Sequence, residues 1–155
     1  MDAIRWPAEF DPVRAPIHAV NRLDMRASPE AVWKALIRAS EWPQFYANAS
    51  NVKIEGGARD LFDGATFRWR TFGVGLVSHV EEFVPNERIA WNAKAPGIWV
   101  YHAWLITPAA TGCHVVTEET QYGFLSRASR MLFPRRMEHW HQRWLEGLAA
   151  RAEAL

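Results

Sequence analysis

Several features are scarce in this sequence of 155 residues, and each scarcity excludes a class of protein. Cys113 is the single cysteine, so no intrachain disulfide can form, and a reducing, cytoplasmic location is expected. The 18 basic and 17 acidic residues nearly cancel, which leaves no global electrostatic argument for nucleic-acid binding. No apolar run is long enough to span a bilayer, so we expect no stable membrane insertion. Residues 1–15 lack the apolar segment of a signal peptide.

The signatures of several chemistries are also missing. The sequence contains no G-x-S-x-G, no phosphate-binding P-loop and no H-E-x-x-H. Gly73-Val74-Gly75 lacks the third glycine and the following helix of a dinucleotide site. His139 and His141 are two residues apart in a predicted helix, which directs them to different sides and makes them a poor metal pair. We therefore expect neither a metal nor a cofactor.

Tryptophan, by contrast, is abundant. Nine indole side chains are difficult to pack in so short a chain unless some of them border a cavity or an interface. Two of them belong to an amphipathic pattern in the last stretch of the chain, residues 123–155, which predicts a long helix. Its apolar residues recur at steps of three and four and are Met137, Trp140, His141, Trp144, Leu145, Leu148 and Ala152. This helix needs a large apolar partner.

Arginine is concentrated between Arg127 and Arg143, at the start of the same stretch. A basic patch of this kind is interpreted as a solvated helix face in preference to a phosphate or lipid-headgroup site.

The remainder of the chain predicts an α+β domain over residues 17–155, preceded by an extended lead-in at residues 1–16 with three prolines. A first strand at 17–26 is followed by a helix capped by Ser28 with Pro29 at its first position. A second short helical turn runs through Phe45. Alternating apolar residues and short connections after Ala49 predict about six antiparallel strands. Asp60 to Gly64 is predicted to be a loop.

At this point the sequence resembles a known superfamily, named SRPBCC or START-like, over residues 17–152. The matching motifs are Ser28-Pro29-Glu30-Ala31-Val32-Trp33, Trp42-Pro43-x-Phe45-Tyr46, Glu82-x-x-Pro85-x-x-x-Ile89-Ala90-Trp91, His102-x-Trp104 and Gly112-Cys113-His114-Val115. The resemblance implies a helix-grip fold, in which a seven-stranded antiparallel sheet curls around the last helix and two short helices follow the first strand. A hydrophobic cavity lies between sheet and helix. Members include polyketide cyclases, aromatases, lipid carriers and plant ligand-binding proteins.

The register of the last predicted hairpin decides which polar residues meet in this cavity. The resemblance directs His102 and Trp104 inward. The pairs expected from a turn near residues 109–110 are Ile106 with Cys113, Trp104 with Val115 and His102 with Thr117. Glu119 would then lie diagonally from His102, whereas a slip of one residue would bring Glu118 there instead.

His102 and Glu119 are the candidate catalytic residues, because an imidazole beside a carboxylate can act as an acid–base pair. A structural hydrogen bond that anchors the sheet is the favoured alternative. The candidate ligand-binding residues are Trp69, Thr71, Trp91, Trp104, Thr117, Met137, Trp140 and Trp144.

Two functions remain open after this reading. The first is binding of a small hydrophobic ligand, aromatic or lipid-like, between the sheet and the last helix. The alternative is an enzyme of the polyketide cyclase, aromatase or dehydratase type that uses the same cavity. A third and weaker hypothesis is a protein-interaction domain. Burying ~300 Å² of apolar ligand yields about 7 kcal/mol before the cost of association, so selective binding needs a few polar groups.

Overall fold

A single antiparallel sheet of seven strands, in the order β1-β7-β6-β5-β4-β3-β2, forms the framework of the molecule. The computed structural model describes residues 3–155. The strands are β1 (Ile17–Met25), β2 (Ser50–Ile54), β3 (Thr66–Thr71), β4 (Val74–Val84), β5 (Arg88–Ala95), β6 (Ile98–Ala109) and β7 (Gly112–Tyr122). The helices are α1 (Pro29–Ile37), α2 (Trp42–Phe45), α3 (Phe124–Leu132) and α4 (Arg136–Glu153). Short 3-10 turns lie at Ala8–Phe10, Ala39–Glu41 and Glu55–Gly57.

The predicted α+β helix-grip architecture is confirmed, with the sheet wrapped around α4. The face of α4 that meets the sheet buries Met137, His141, Trp144, Leu145, Leu148 and Ala152. Helix α1 begins as predicted, because the Ser28 hydroxyl accepts a hydrogen bond from the Ala31 amide at 3.3 Å. No helix among residues 3–155 is both long and apolar enough to cross a bilayer.

Strand β6 is apolar on both faces because both faces are covered. On the inner face, His102 and Trp104 pack against Trp144 of α4. On the outer face, Tyr101 contacts Phe10 of the lead-in, with ring centroids 5.2 Å apart. Phe10 is buried, so the lead-in forms part of the packed structure. This explains why alternation alone does not distinguish the two faces of β6.

The stretch 123–155 forms two helices and not one. Helix α3 ends at Leu132, and α4 begins at Arg136. Pro134 has no backbone N–H and disfavours helical geometry in the residue before it, and Phe133 has φ −140° and ψ 67°. The periodicity of the sequence identified α4 but did not separate α3 from it.

The predicted register of the β6–β7 hairpin is wrong by two residues. Ala109 pairs with Gly112, so Ala110 and Thr111 form a two-residue turn one position later than expected. Gly112 has φ +94°, and a Cβ there would lie 2.0 Å from the Met25 carbonyl oxygen, so this tight turn requires glycine. A shift of two residues keeps every side chain on its predicted face.

The corrected register places His102 directly opposite Glu119. The pairs observed in place of the predicted ones are Ile106 with Val115, Trp104 with Thr117 and Pro108 with Cys113. Glu118 lies on the outer face, where its carboxylate is 2.8 Å from His18 Nε2. The alternative pairing of His102 with Glu118 is therefore excluded.

The Asp60–Gly64 loop is anchored to the body of the protein. The Asp60 carboxylate accepts a hydrogen bond from Arg38 at 2.8 Å, and Leu61 is buried. No residue of this loop lines the cavity described below.

Candidate functional site

A cavity of about 220 Å³ lies between the inner face of the sheet and helices α3 and α4. Of the predicted ligand-binding residues, Trp69, Thr71, Trp91, Met137 and Trp144 line it. Trp69 and Thr71 are on β3, where alternating burial turns them inward, and Trp91 is on β5. Met137 and Trp144 are on the buried stripe of α4.

Three other predicted residues, Trp104, Thr117 and Trp140, lie outside the lining. Trp104 is fully buried behind the cavity wall, where it stacks on His102 at a centroid distance of 5.3 Å. Thr117 pairs with Trp104 across strands β6 and β7, and its hydroxyl is hydrogen-bonded to His102. Trp140 packs against Tyr46, at 6.4 Å between ring centroids.

Trp144 connects the cavity to the aromatic core. Its ring stacks on Tyr46 at 4.4 Å and meets Trp42 and Trp104 edge to face, each at 5.0 Å. Offset stacking and edge-to-face contacts are the favoured geometries of aromatic pairs. The cavity wall at Trp144 is therefore fixed by rings on several sides.

A buried polar cluster forms one end of the cavity. Glu119 Oε2 lies 3.1 Å from His102 Nδ1 and 3.2 Å from His141 Nε2, and Gln121 donates to the other carboxylate oxygen at 2.7 Å. His102, Glu119 and Gln121 point inward from β6 and β7, and His141 reaches them from the buried stripe of α4. All four side chains line the cavity.

The cluster fixes the charges of Glu119 and His102 at neutral pH. Burial alone would raise the pKa of Glu119, but attraction to the two imidazoles and hydrogen bonds from His141 and Gln121 outweigh it and hold that pKa below 4.5. Burial lowers the pKa of His102 to about 3, against the attraction of the Glu119 carboxylate. Glu119 is therefore ionised and His102 is neutral.

These charges determine the direction of the hydrogen bonds. The ionised Glu119 accepts a hydrogen bond from His141 Nε2–H, and His102 Nδ1 lies 3.1 Å from the same carboxylate oxygen. Nε2 of His102 lies 2.7 Å from the Thr117 hydroxyl oxygen, and that hydroxyl also lies 3.2 Å from the Ala103 carbonyl oxygen. Both nitrogens of His102 are thus occupied within the protein.

His141 differs from His102 in having one nitrogen unused. Its Nδ1 is buried and has no hydrogen-bond partner, as is also true of Nε1 of Trp91 and Nε1 of Trp144. All three residues line the cavity. Nε1 of Trp104 and Oδ1 of Asn21, on residues outside the lining, also have no partner. Buried polar atoms without partners are rare in proteins, so the three on lining residues are candidates for a hydrogen bond to a ligand.

The sequence also identifies a family. The profile described as polyketide cyclase / dehydrase and lipid transport matches residues 16–153. The chain belongs to this family. Its resemblance to the SRPBCC superfamily is thereby confirmed. Among the curated proteins, no sequence matches this chain.

Solved structures agree with this family assignment. A hypothetical protein of Helicobacter pylori is 31% identical, with 98% of this chain and 97% of that one covered and a TM-score of 0.90. A protein of Thermus thermophilus is 16% identical over 89% of this chain and 98% of that one, with a TM-score of 0.72. The Zhui aromatase/cyclase of a Streptomyces species is 14% identical over 88% and 93%, with a TM-score of 0.73. These last two matches show the fold alone.

Within this family fold, sequence reasoning missed His141 and Gln121 as site residues. His141 carried a signal, because it interrupts an otherwise apolar stripe of α4 with a polar group. A buried histidine at such a position requires a polar partner, and Glu119 provides it. Gln121 follows Glu119 by two residues and therefore shares its inward face.

His102, Glu119 and His141 are the residues, within 3–155, whose ligand atoms could together contact a metal ion, since these atoms lie within 4.8 Å of one another. The two imidazole rings, however, are stacked at 4.7 Å and inclined by only 18°. A metal bound by both would have to lie in the plane of each ring, and nearly parallel planes do not meet nearby. The expectation of no cofactor stays a prediction.

Proposed function

We propose that the protein binds a small, mainly apolar and aromatic ligand in this cavity, and that a hydroxyl group of the ligand donates a hydrogen bond to His141 Nδ1. The observation that supports this is the buried, unpartnered Nδ1 of a residue that lines the cavity beside Trp91 and Trp144. Glu119 holds His141 in the tautomer that leaves Nδ1 as an acceptor.

The size of the cavity limits the ligand. A volume of about 220 Å³ is below the usual range of pockets for drug-sized molecules, which favours a ligand of roughly two fused rings. The aromatic walls supply apolar contact but little discrimination between ligands of similar shape. One buried hydrogen bond, worth about 1 kcal/mol, therefore provides about five- to tenfold selectivity.

The test compares two ligands that differ by one hydroxyl group. Calorimetry should show that the protein binds 1-naphthol about five- to tenfold more tightly than naphthalene. His141→Gln keeps an N–H donor for Glu119 but removes the Nδ1 acceptor, so this preference should fall to near unity while naphthalene affinity is retained. His139→Gln, on the exposed side of α4, is the matched control.

Two results would contradict this binding role. One is the absence of binding of either ligand by a protein that is folded and free of bound small molecules. The other is a preference for 1-naphthol that His141→Gln leaves unchanged.

The alternative function is proton transfer of the kind that a cyclase or dehydratase requires. The observation that favours it is again His141, whose Nε2–H is held by Glu119 while Nδ1 is unoccupied, as in a histidine base oriented by a carboxylate. His102 has no unoccupied nitrogen. In this alternative, His141 is the base, Glu119 orients it, and His102 is a positioning residue for Glu119, whereas the sequence suggested His102 as the proton carrier.

This alternative predicts base catalysis on a bicyclic ketone. In D₂O, His141 Nδ1 would remove a proton from the carbon beside the carbonyl of 1-tetralone, and return of a deuteron would label that carbon. Mass spectrometry should detect accelerated labelling by the wild type and by His102→Asn, but not by His141→Gln. An equal labelling rate with and without protein would contradict the enzymatic role.

A further inference from the structure

Helix α3 and the residue that follows it, Phe133, expose apolar side chains to an unusual degree. The exposed fractions are 71% for Phe124, 84% for Met131, 71% for Leu132 and 54% for Phe133. Within α3 only Ser126 is buried, with its hydroxyl donating to the Tyr122 carbonyl at 2.9 Å. Contiguous exposed apolar side chains on a folded protein indicate an interaction surface.

The same segment carries positive charge without any compensating negative charge. Arg127, Arg130, Arg135 and Arg136 lie between Glu119 and Glu138, and no acidic residue occurs between those two positions. Within the part of the chain that the structure describes, none of the four guanidinium groups forms an ion pair; Arg136 instead lies over the rings of Phe72 and Phe133. The surface formed by residues 124–136 is therefore both apolar and cationic.

This surface adjoins the cavity. Leu125, Arg130 and Phe133 line the cavity from α3 and the link to α4. Phe124 and Met131 recur at a spacing of seven residues on the outward side of the helix.

We propose that residues 124–136 dock the protein on an anionic lipid surface. Phenylalanine, methionine and leucine side chains can enter the boundary between headgroups and acyl chains, and arginines can contact anionic headgroups, as in interfacial amphipathic helices. The docking concerns the exterior of the molecule and stands whether or not the cavity binds the ligand proposed above.

The charges of residues 124–136 favour a lipid surface over two other partners, a second copy of the chain and a nucleic acid. In a symmetric dimer formed through this surface, the four arginines of one copy would face those of the other, and like charges in contact oppose association. A nucleic acid would accept the arginines but would leave the exposed side chains of Met131 and Leu132 without an apolar partner. A bilayer with anionic headgroups satisfies both the charge and the apolar side chains.

Cosedimentation of the full chain with vesicles tests the docking. We expect binding to vesicles of phosphatidylcholine mixed with phosphatidylglycerol, weaker binding at high salt, and little binding to phosphatidylcholine alone. Arg127 and Arg135 do not line the cavity, and each arginine near an anionic surface strengthens association about fivefold. Arg127→Glu/Arg135→Glu should therefore weaken vesicle binding by at least about 25-fold.

Matched variants separate this surface from general charge and hydrophobicity. Arg22→Glu/Arg68→Glu changes the net charge equally at exposed positions elsewhere and should retain most of the binding. Met131→Gln should weaken binding several-fold, whereas Val13→Gln, at a position that is 90% exposed, should not.

Three outcomes would overturn the proposal. They are failure of the wild type to bind phosphatidylglycerol vesicles at low salt, equal losses in the test and control variants, and a concentration-dependent dimer that Met131→Gln dissociates. Ligand calorimetry on the same variants is expected to be unchanged, so failure of the docking is distinguishable from failure of the cavity to bind.

Discussion

The neutral state of buried His102 predicts a specific dependence of folding stability on pH. In the folded protein the pKa of His102 is about 3, and its ordinary value is 6.5. As the pH falls below 6.5, the unfolded chain takes up a proton at this residue while the folded protein does not. The stability that comes from the neutral imidazole is thus complete above 6.5 and is lost as the pH falls toward the folded pKa.

The magnitude follows from the two pKa values. Between about pH 7 and about pH 5, protonation of the unfolded chain at this one residue lowers the free energy of unfolding by about 2 kcal/mol. The same cluster holds the pKa of Glu119 below its ordinary value, so protonation of this carboxylate does not account for the change. The groups that face His102 are Glu119 on β7 and His141 on α4.

The assay is urea unfolding followed by tryptophan fluorescence at both pH values. His102→Asn can keep an N–H donor to Glu119 and cannot titrate. Between the two pH values, the loss of free energy of unfolding should therefore be about 2 kcal/mol smaller in this variant than in the wild type. Thr117→Val, which removes only the hydroxyl at Nε2, should retain most of the pH dependence. Equal pH dependence in wild type and His102→Asn would refute the neutral, buried state of this imidazole.

Two further predictions concern packing. A Cβ at Gly147 would lie 2.2 Å from the Phe45 carbonyl oxygen, so Gly147→Ala should destabilise the protein by about 1–3 kcal/mol despite the better helix propensity of alanine. Urea unfolding measures the change in stability. The control is Ala150→Gly at an exposed position of α4, which should lower the free energy of unfolding by about 1 kcal/mol. A Gly147→Ala variant more stable than the wild type would contradict the close packing. Phe10→Ala should cost about 3 kcal/mol because Phe10 is buried against Tyr101, and an unchanged unfolding midpoint would show that the lead-in is not part of the packed structure.

The helix-grip fold could be predicted from the sequence because its signals are local. Ser28 and Pro29 mark the start of α1, and the alternation in β3 assigns Trp69 and Thr71 to one face. The break between α3 and α4 was less visible, since apolar residues continue through Phe133 and only Pro134 signals the interruption.

The sequence predicted His102 and Glu119 of the polar cluster but not their exact pairing, for a physical reason. The position of a hairpin turn shifts every cross-strand pair, and the choice between Ala109-Ala110 and Ala110-Thr111 is not determined by local preference. In the observed turn Gly112 lies against the Met25 carbonyl, a contact between residues distant in sequence.

His141 illustrates the same limit across helix and sheet. The periodicity of α4 placed this residue on the buried stripe, but only the packing of α4 on β7 brings it to Glu119. Charge and hydrogen-bond direction in the cluster depend on that tertiary contact and on burial, neither of which a single sequence specifies.

The most direct test of a ligand in this cavity uses the nine tryptophans as position markers. The indole N–H signals of nitrogen-15-labelled protein can be assigned by single Trp→Phe variants and followed by NMR during addition of 1-naphthol. Binding in the cavity predicts shifts at Trp91 and Trp144, whose Nε1 atoms have no partner in the protein, and none at Trp6 or Trp99, which are on the outer face. Shifts confined to Trp6 and Trp99, or no shifts at saturating 1-naphthol, would contradict it.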